Sequence, residues 1–239
     1  MHPLAQQNFA RHLQQNSYPG RGLVIGRSTA DTWLILYWIM GRSSHSRNRK
    51  FVAEGMTLRT EPIDPTQVVD PSLIIYEAML DLPGVYLVGN GDHTRTLYDA
   101  IAQGSTVNRA LLTREREPDA PNYTPRISGL LQPGRTKAPI LLNILKANVL
   151  DPALTDRGNY RPAIPFAGVG YGLTTYMGDG NPLPSFTGEP LLLPLVGTAV
   201  QVLETYWNGL DRENRVAVAV KEVEDNGRSR LIIQNQHET

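Results

Sequence analysis

Eight consecutive residues, Trp33-Leu-Ile-Leu-Tyr-Trp-Ile-Met40, are all aliphatic, aromatic or Met, with no charged residue among them. The run is well short of the ~20 residues that a membrane-spanning helix needs. Its β-branched and aromatic side chains favour extended backbone, so it reads as a buried strand. Leu23 to Gly26 is a shorter strand before it, and Ser28 to Asp31 supplies the turn. Together they predict an N-terminal hairpin.

The 239 residues are expected to form one domain, 1–239, with enough chain to bury a core unaided. Twenty-three basic and 23 acidic residues cancel. That balance argues against nucleic-acid or membrane-surface partners, which need a basic excess, but not against a small anion held by a few local arginines. Cysteine is absent, which removes disulfides, thiolate metal sites and a cysteine nucleophile. The polar N-terminus lacks the apolar stretch of a signal peptide, and a cytoplasmic location is expected. His2, His12, His45, His93 and His237 have no metal-ligand spacing, so no metal is expected.

Along the chain, residues 3–16 read as an amphipathic helix with Leu4, Phe9 and Leu13 inward. Residues 72–81 and 85–89 read as strands around Leu82-Pro83-Gly84. Ile74-Ile75 and the Pro-Gly turn favour strand over helix there. Helices are expected at Thr94 to Gln103, capped by Thr94, and at Val107 to Glu115. Strands follow at 126–131, 140–147 and 168–177, then a helix at 198–208 stopped by Gly209. A hairpin of 215–223 and 230–234 turns at Asp225-Asn226-Gly227. Residues 148–167 read as a long loop. The order implies an α+β fold of mixed sheets with helices outside.

Three polar segments could carry chemistry. Gly41-Arg-Ser-Ser-His-Ser-Arg-Asn-Arg-Lys50 gathers Arg42, Arg47 and Arg49 with Ser43 and its neighbours at a strand end. Guanidinium forks and hydroxyls suit a phosphate monoester, although a solvated basic loop would read the same. Gly89-Asn-Gly-Asp-His-Thr94 joins a strand to a helix and could present backbone amides to an anion, or serve only as a turn. Glu115 to Arg126 sets Glu117, Asn122, Thr124 and Arg126 at a helix-to-strand connection, where a carboxylate beside arginines could move protons. Gly168-Val-Gly-Tyr-Gly172 leads into a strand pattern and is no dinucleotide loop. The turn-rich stretch 178–190 reads as a rigid lid carrying Asp179 and Phe186, or as scaffold.

Taken together, Arg42-Ser43 after an apolar strand, Asn90-Gly-Asp-His-Thr94 before a helix and Asn122-Tyr-Thr-Pro-Arg-Ile127 before a strand resemble the archaeal-type IMP cyclohydrolase family, as does Gly20-Arg-Gly-Leu-Val-Ile-Gly26. The resemblance is strongest over residues 20 to 130. It implies a four-layer α/β/β/α sandwich like that of N-terminal nucleophile hydrolases. It also implies closure of 5-formamidoimidazole-4-carboxamide ribonucleotide (FAICAR) to IMP with loss of water, a reaction for which no cofactor is expected. The resemblance places Glu117 and Tyr76 as the catalytic pair, facing one another from a loop and a strand. Arg42, Ser43, Arg47, Arg49, Asn90, Asn122, Thr124 and Arg126 would hold the purine nucleotide. Arg47 competes with Arg49 for one role, and Glu115 and Asp119 are alternatives to Glu117. A non-catalytic nucleotide-binding protein and an amidohydrolase on the same fold are the competing readings. A homo-oligomer is compatible with all of them.

Overall fold

The computed structural model describes residues 2–68 and 71–237. In chain order its elements are α1 (Pro3–Phe9), β1 (Gly22–Arg27), β2 (Trp33–Met40), α2 (Ser44–Arg47), β3 (Lys50–Glu54), β4 (Thr57–Glu61), α3 (Pro71–Ile74), β5 (Glu77–Leu82), β6 (Val85–Gly89), α4 (His93–Ala102), α5 (Val107–Leu111), β7 (Arg126–Leu131), β8 (Ile140–Ala147), β9 (Thr155–Tyr160), β10 (Val169–Thr174), β11 (Leu191–Pro194), α6 (Ala199–Gly209), β12 (Arg215–Val223) and β13 (Ser229–Asn235). The fold is α+β with two sheets, ordered β11-β10-β1-β2-β12-β13 and β3-β4-β5-β6-β7-β8-β9. Every strand pair in both is antiparallel, not mixed as the element order suggested. Among the described residues no helix is long and apolar enough to cross a membrane.

β2 explains the layering. All eight of its residues are buried, because its side chains alternate between two apolar layers. Trp33, Ile35, Tyr37 and Ile39 meet Met79, Val88, Ile127 and Leu142 of the other sheet. Leu34, Leu36, Trp38 and Met40 meet Phe9, Leu13, Val202 and Tyr206 from the N-terminal helix and α6. A third cluster seats Leu97, Val107 and Leu111 of α4 and α5 on Leu87, Leu130 and Leu141 of the second sheet. Each such large side chain contributes about 1.5–3 kcal/mol by leaving water. One buried ion pair ties the sheets: Lys221 of β12, fully buried, binds the Asp81 carboxylate of β5 and donates to the Met56 carbonyl at 2.7 Å.

Several elements differ from expectation. α1 continues as a π-helical turn over Ala10–Gln14, and its buried seam is Ala5, Phe9 and Leu13; Leu4 is 49% exposed. Four-residue spacing explains this, since 5, 9 and 13 share one face and 4 does not. The stretch 72–81 opens as the helical turn α3, where Pro71 fits a first helical position and its carbonyl accepts the Ile75 N–H at 2.7 Å. β5 therefore starts only at Glu77, and Tyr76 precedes it. Thr94 does not cap α4. Asp92 flanks the helix, and the Thr94 hydroxyl donates to the Gly91 carbonyl at 2.9 Å. α5 ends at Leu111, short of Glu115, where the Thr113 hydroxyl takes the Ala110 carbonyl. β9 lies inside the expected long loop. It is a polar edge strand paired only with β8, so no apolar alternation marks it.

Candidate active site

A cavity of about 740 Å³ opens where β1 begins and β2 ends. Arg21, one residue before β1, lines it and is 7% exposed. Its guanidinium donates to Glu117 Oε2 at 2.9 Å and to the Asn90 carbonyl at 2.9 Å. Burial works against its charge, but the Glu117 carboxylate, with Tyr76 and Tyr37 nearby, more than offsets this and holds Arg21 well above its ordinary pKa. Arg21 was not foreseen as a site residue. Its only sequence signal is its place between Gly20 and Gly22 at a strand start.

Glu117 is 4% exposed and lines the cavity. Its backbone is fixed by the Thr124 carbonyl, which accepts the Glu117 N–H at 3.0 Å. Asp119 closes the loop by accepting the Thr124 N–H at 2.7 Å and the Thr124 hydroxyl. That hydroxyl also pairs with the Tyr176 phenol, which burial keeps well above its ordinary pKa. Asn122 lines the cavity and accepts the Leu183 N–H at 3.0 Å. The alternatives to Glu117 fare worse. Glu115 is exposed and paired with Arg157 at 2.7 Å, and Asp119 is engaged with Thr124.

The arginine loop splits. Arg42 lines the cavity, lies 5.1 Å over the Tyr18 ring and is held by the Asp179 carboxylate and the Gly180 carbonyl. Asp179 thus stands at the rim, whereas Phe186 of the same segment is buried in the inter-sheet core. Ser43 lines the cavity while capping α2, where its hydroxyl accepts the Ser46 N–H at 3.2 Å. Arg49, 7% exposed, lines the cavity and donates to the Ser46 and Met40 carbonyls. Arg47 does not join them. It faces a separate cleft and donates to the Gly41 carbonyl and to Asn214 Oδ1.

Three further expected residues stand behind the cavity. Asn90 is fully buried and clamps the strands, giving its amide N–H to the Pro125 carbonyl and accepting the Ile127 N–H, each at 2.8 Å. Arg126 pairs with Asp92 at 2.6 Å. Tyr76, buried, shares a 2.7 Å hydrogen bond with the Tyr37 hydroxyl, and both phenols lie near enough to Arg21 to act on its charge. Gly91 makes this crowding possible. A Cβ there would lie 2.6 Å from Arg126 Nη1, 3.4 Å from His93 Nδ1 and 3.6 Å from Glu117 Oε1. His93 is buried beside Arg126, and burial first, then that guanidinium, lower its pKa to about 3. Among the described residues no group of three or more His, Asp or Glu side chains could hold a metal ion.

Three arginines around a buried carboxylate, with tyrosines and hydroxyls on the walls, can bind an anion and hold a proton-transfer group beside it. Comparison with known proteins gives this chemistry a context. An IMP cyclohydrolase from Methanothrix thermoacetophila is 32% identical over 118 residues, covering 48% of this chain and 57% of the relative. The chain thus spans little more than half the length of that relative. The family described as IMP cyclohydrolase-like protein matches residues 18–227, nearly the whole chain, and the chain belongs to that family.

Proposed function

We propose that this protein is an IMP cyclohydrolase that closes FAICAR to IMP in purine biosynthesis. The observation that carries the reading is the buried Arg21–Glu117 pair opening on a cavity that also presents Arg42 and Arg49. Family membership supports it. The two facing sheets with helices packed outside support the finer assignment, a four-layer α/β/β/α sandwich of the N-terminal nucleophile hydrolase kind over one domain. A cytoplasmic setting fits a nucleotide biosynthetic step.

In the reaction the carboxamide nitrogen attacks the formyl carbon, and the resulting carbinolamine loses water. Redox chemistry is not involved. Arg42 and Arg49 bind the nucleotide phosphate or base, with Ser43, Asn122 and Thr124 on the walls. Binding aligns the two ring substituents, which is a proximity task. Glu117 accepts the amide proton and passes it to the formyl oxygen, which becomes the carbinolamine hydroxyl; it then takes the proton of the former formamide nitrogen and gives it to that hydroxyl, which leaves as water. Arg21 holds the carboxylate in place, and the Tyr37–Tyr76 hydroxyl pair backs the same cation. Asn90 and Arg126 position the surrounding loops.

The test is ring closure followed by ultraviolet absorbance on the purified protein. Glu117→Gln keeps the shape and removes the titration, so turnover falls by roughly 10²–10⁴-fold with IMP affinity nearly intact. Tyr76→Phe costs less, because its hydroxyl acts at one remove. Near wild-type turnover in Glu117→Gln would defeat the role. IMP binding by the wild-type protein without any turnover would establish the non-catalytic nucleotide-binding reading instead.

A further inference from the structure

We infer that the cleft lined by Arg47, Arg212 and Arg215 is a second anion-binding site, for a doubly charged phosphate-type ligand, separate from the cavity that holds Glu117. The cleft has a volume of about 620 Å³. Glu213 is its one lining carboxylate among the described residues, set against three guanidinium groups. Neither Arg212 nor Glu213 forms an ion pair with another described residue. Among the described residues, no carboxylate ion-pairs any of the three arginines.

Arg47 and Arg215 are each held so that part of the fork stays open, and Arg212 is exposed beside them. Arg215 lies 4.2 Å over the Trp207 ring and uses Nη1 on the Trp207 carbonyl at 2.6 Å. Its Nε makes only a long 3.4 Å contact with Gln236. Burial first, and then the neighbouring Arg212 charge, push the Arg215 pKa down, while Asp211 opposes them. Asp211 Oδ1 accepts the Glu213 and Asn214 N–H groups, which fixes that carboxylate in its own turn with its charge intact. Arg47 uses Nε and Nη2 on Gly41 and Asn214, which aims the guanidinium without neutralising it. Held guanidinium groups with unmatched charge favour a compact, multiply charged oxyanion, and phosphate oxygens fit their forks.

The site also explains why the arginine loop is divided. Residues 41–50 form the partition between the two spaces, with Arg42 and Arg49 on one side and Arg47 on the other. Arg47 donates to the carbonyl of Gly41, the residue before Arg42. A ligand drawing on Arg47 would thus pull on the backbone that carries Arg42.

The test is a titration of the whole chain with inorganic phosphate at constant ionic strength maintained with sodium chloride, observing the arginine Nε–H signals by NMR. The Arg212 and Arg215 signals are expected to move saturably. Arg212 is exposed, so Arg212→Gln should fold normally. It should weaken phosphate at the Arg215 signal by roughly tenfold, the equivalent of one lost charge-assisted contact. The Arg42 and Arg49 signals should titrate as in the wild type. Shifts that stay linear in phosphate, or an Arg212→Gln titration unchanged at Arg215, would overturn the site. Neither result bears on Glu117.

Discussion

Replacing Arg21 by methionine separates what the buried pair does for stability from what it does for chemistry. The two side chains are 8% and 5% exposed and meet at 2.9 Å. Removing one partner of a buried pair costs about 3–5 kcal/mol, because the other charge is left desolvated and alone. The pair borders an open cavity, so water can reach the orphaned Glu117, and the lower end, about 3 kcal/mol, applies. In a chain of this size each kcal/mol moves the melting temperature by roughly 2–4 °C, which gives a fall of about 6–12 °C. Exchanging both charges at once, Arg21→Met with Glu117→Leu, removes the orphan and should return most of that loss. Ring-closure activity should be absent from the double variant even so. Calorimetric melting of the two single variants and the double variant, alongside ring closure, reads both effects. A double variant no more stable than either single one would show that packing, not charge, dominates. An Arg21→Met protein melting within about 2 °C of wild type would refute the burial argument itself.

Three other outcomes follow from the same coordinates. His93 has a folded pKa of about 3 against an ordinary 6.5. The unfolded chain therefore binds the extra proton in that window, and stability should hold above pH 6.5 and fall at about 1.4 kcal/mol per unit toward pH 3. Urea melts at pH 7 and 4.5 should show a shallower loss in His93→Gln, and an identical slope would exclude His93 as the source. Lys221→Met strands the Asp81 carboxylate between the sheets and should cost about 3 kcal/mol in urea unfolding; no loss would mean that Asp81 is free to protonate or hydrate. Arg42→Ala should weaken IMP binding by about 1.5–3 kcal/mol in calorimetry, and Arg47→Ala, whose side chain faces the other cleft, by clearly less. Equal losses would place both in one site.

The uneven legibility of this chain has physical causes. β2 was readable because both of its faces are apolar, β7 and β8 because turn residues flank them, and α6 because of its apolar face, although Gly209, expected to stop it, is its last helical residue and Leu210 the C-cap. β9 was not, since an edge strand facing water needs no apolar code. The acid loop was partly readable because its bonds are local: Asp119 and Thr124 are five residues apart. The choice between Arg47 and Arg49 was not. Arg47 is the last residue of a four-residue helix and Arg49 lies beyond its C-cap, Asn48, where no helical period fixes the direction of a side chain. Only the folded loop decides which arginine meets the cavity. Arg21 escaped for a different reason. Its partner Glu117 lies 96 positions away, just as Arg42 finds Asp179 across 137. Periodicity reports which face of an element is buried and says nothing about which distant charge shares that face. The charge pairing at this cavity is created when the ends of β1 and β2 close against the 117–124 loop. A motif can supply the residue types, and the sheet ends supply the pairs.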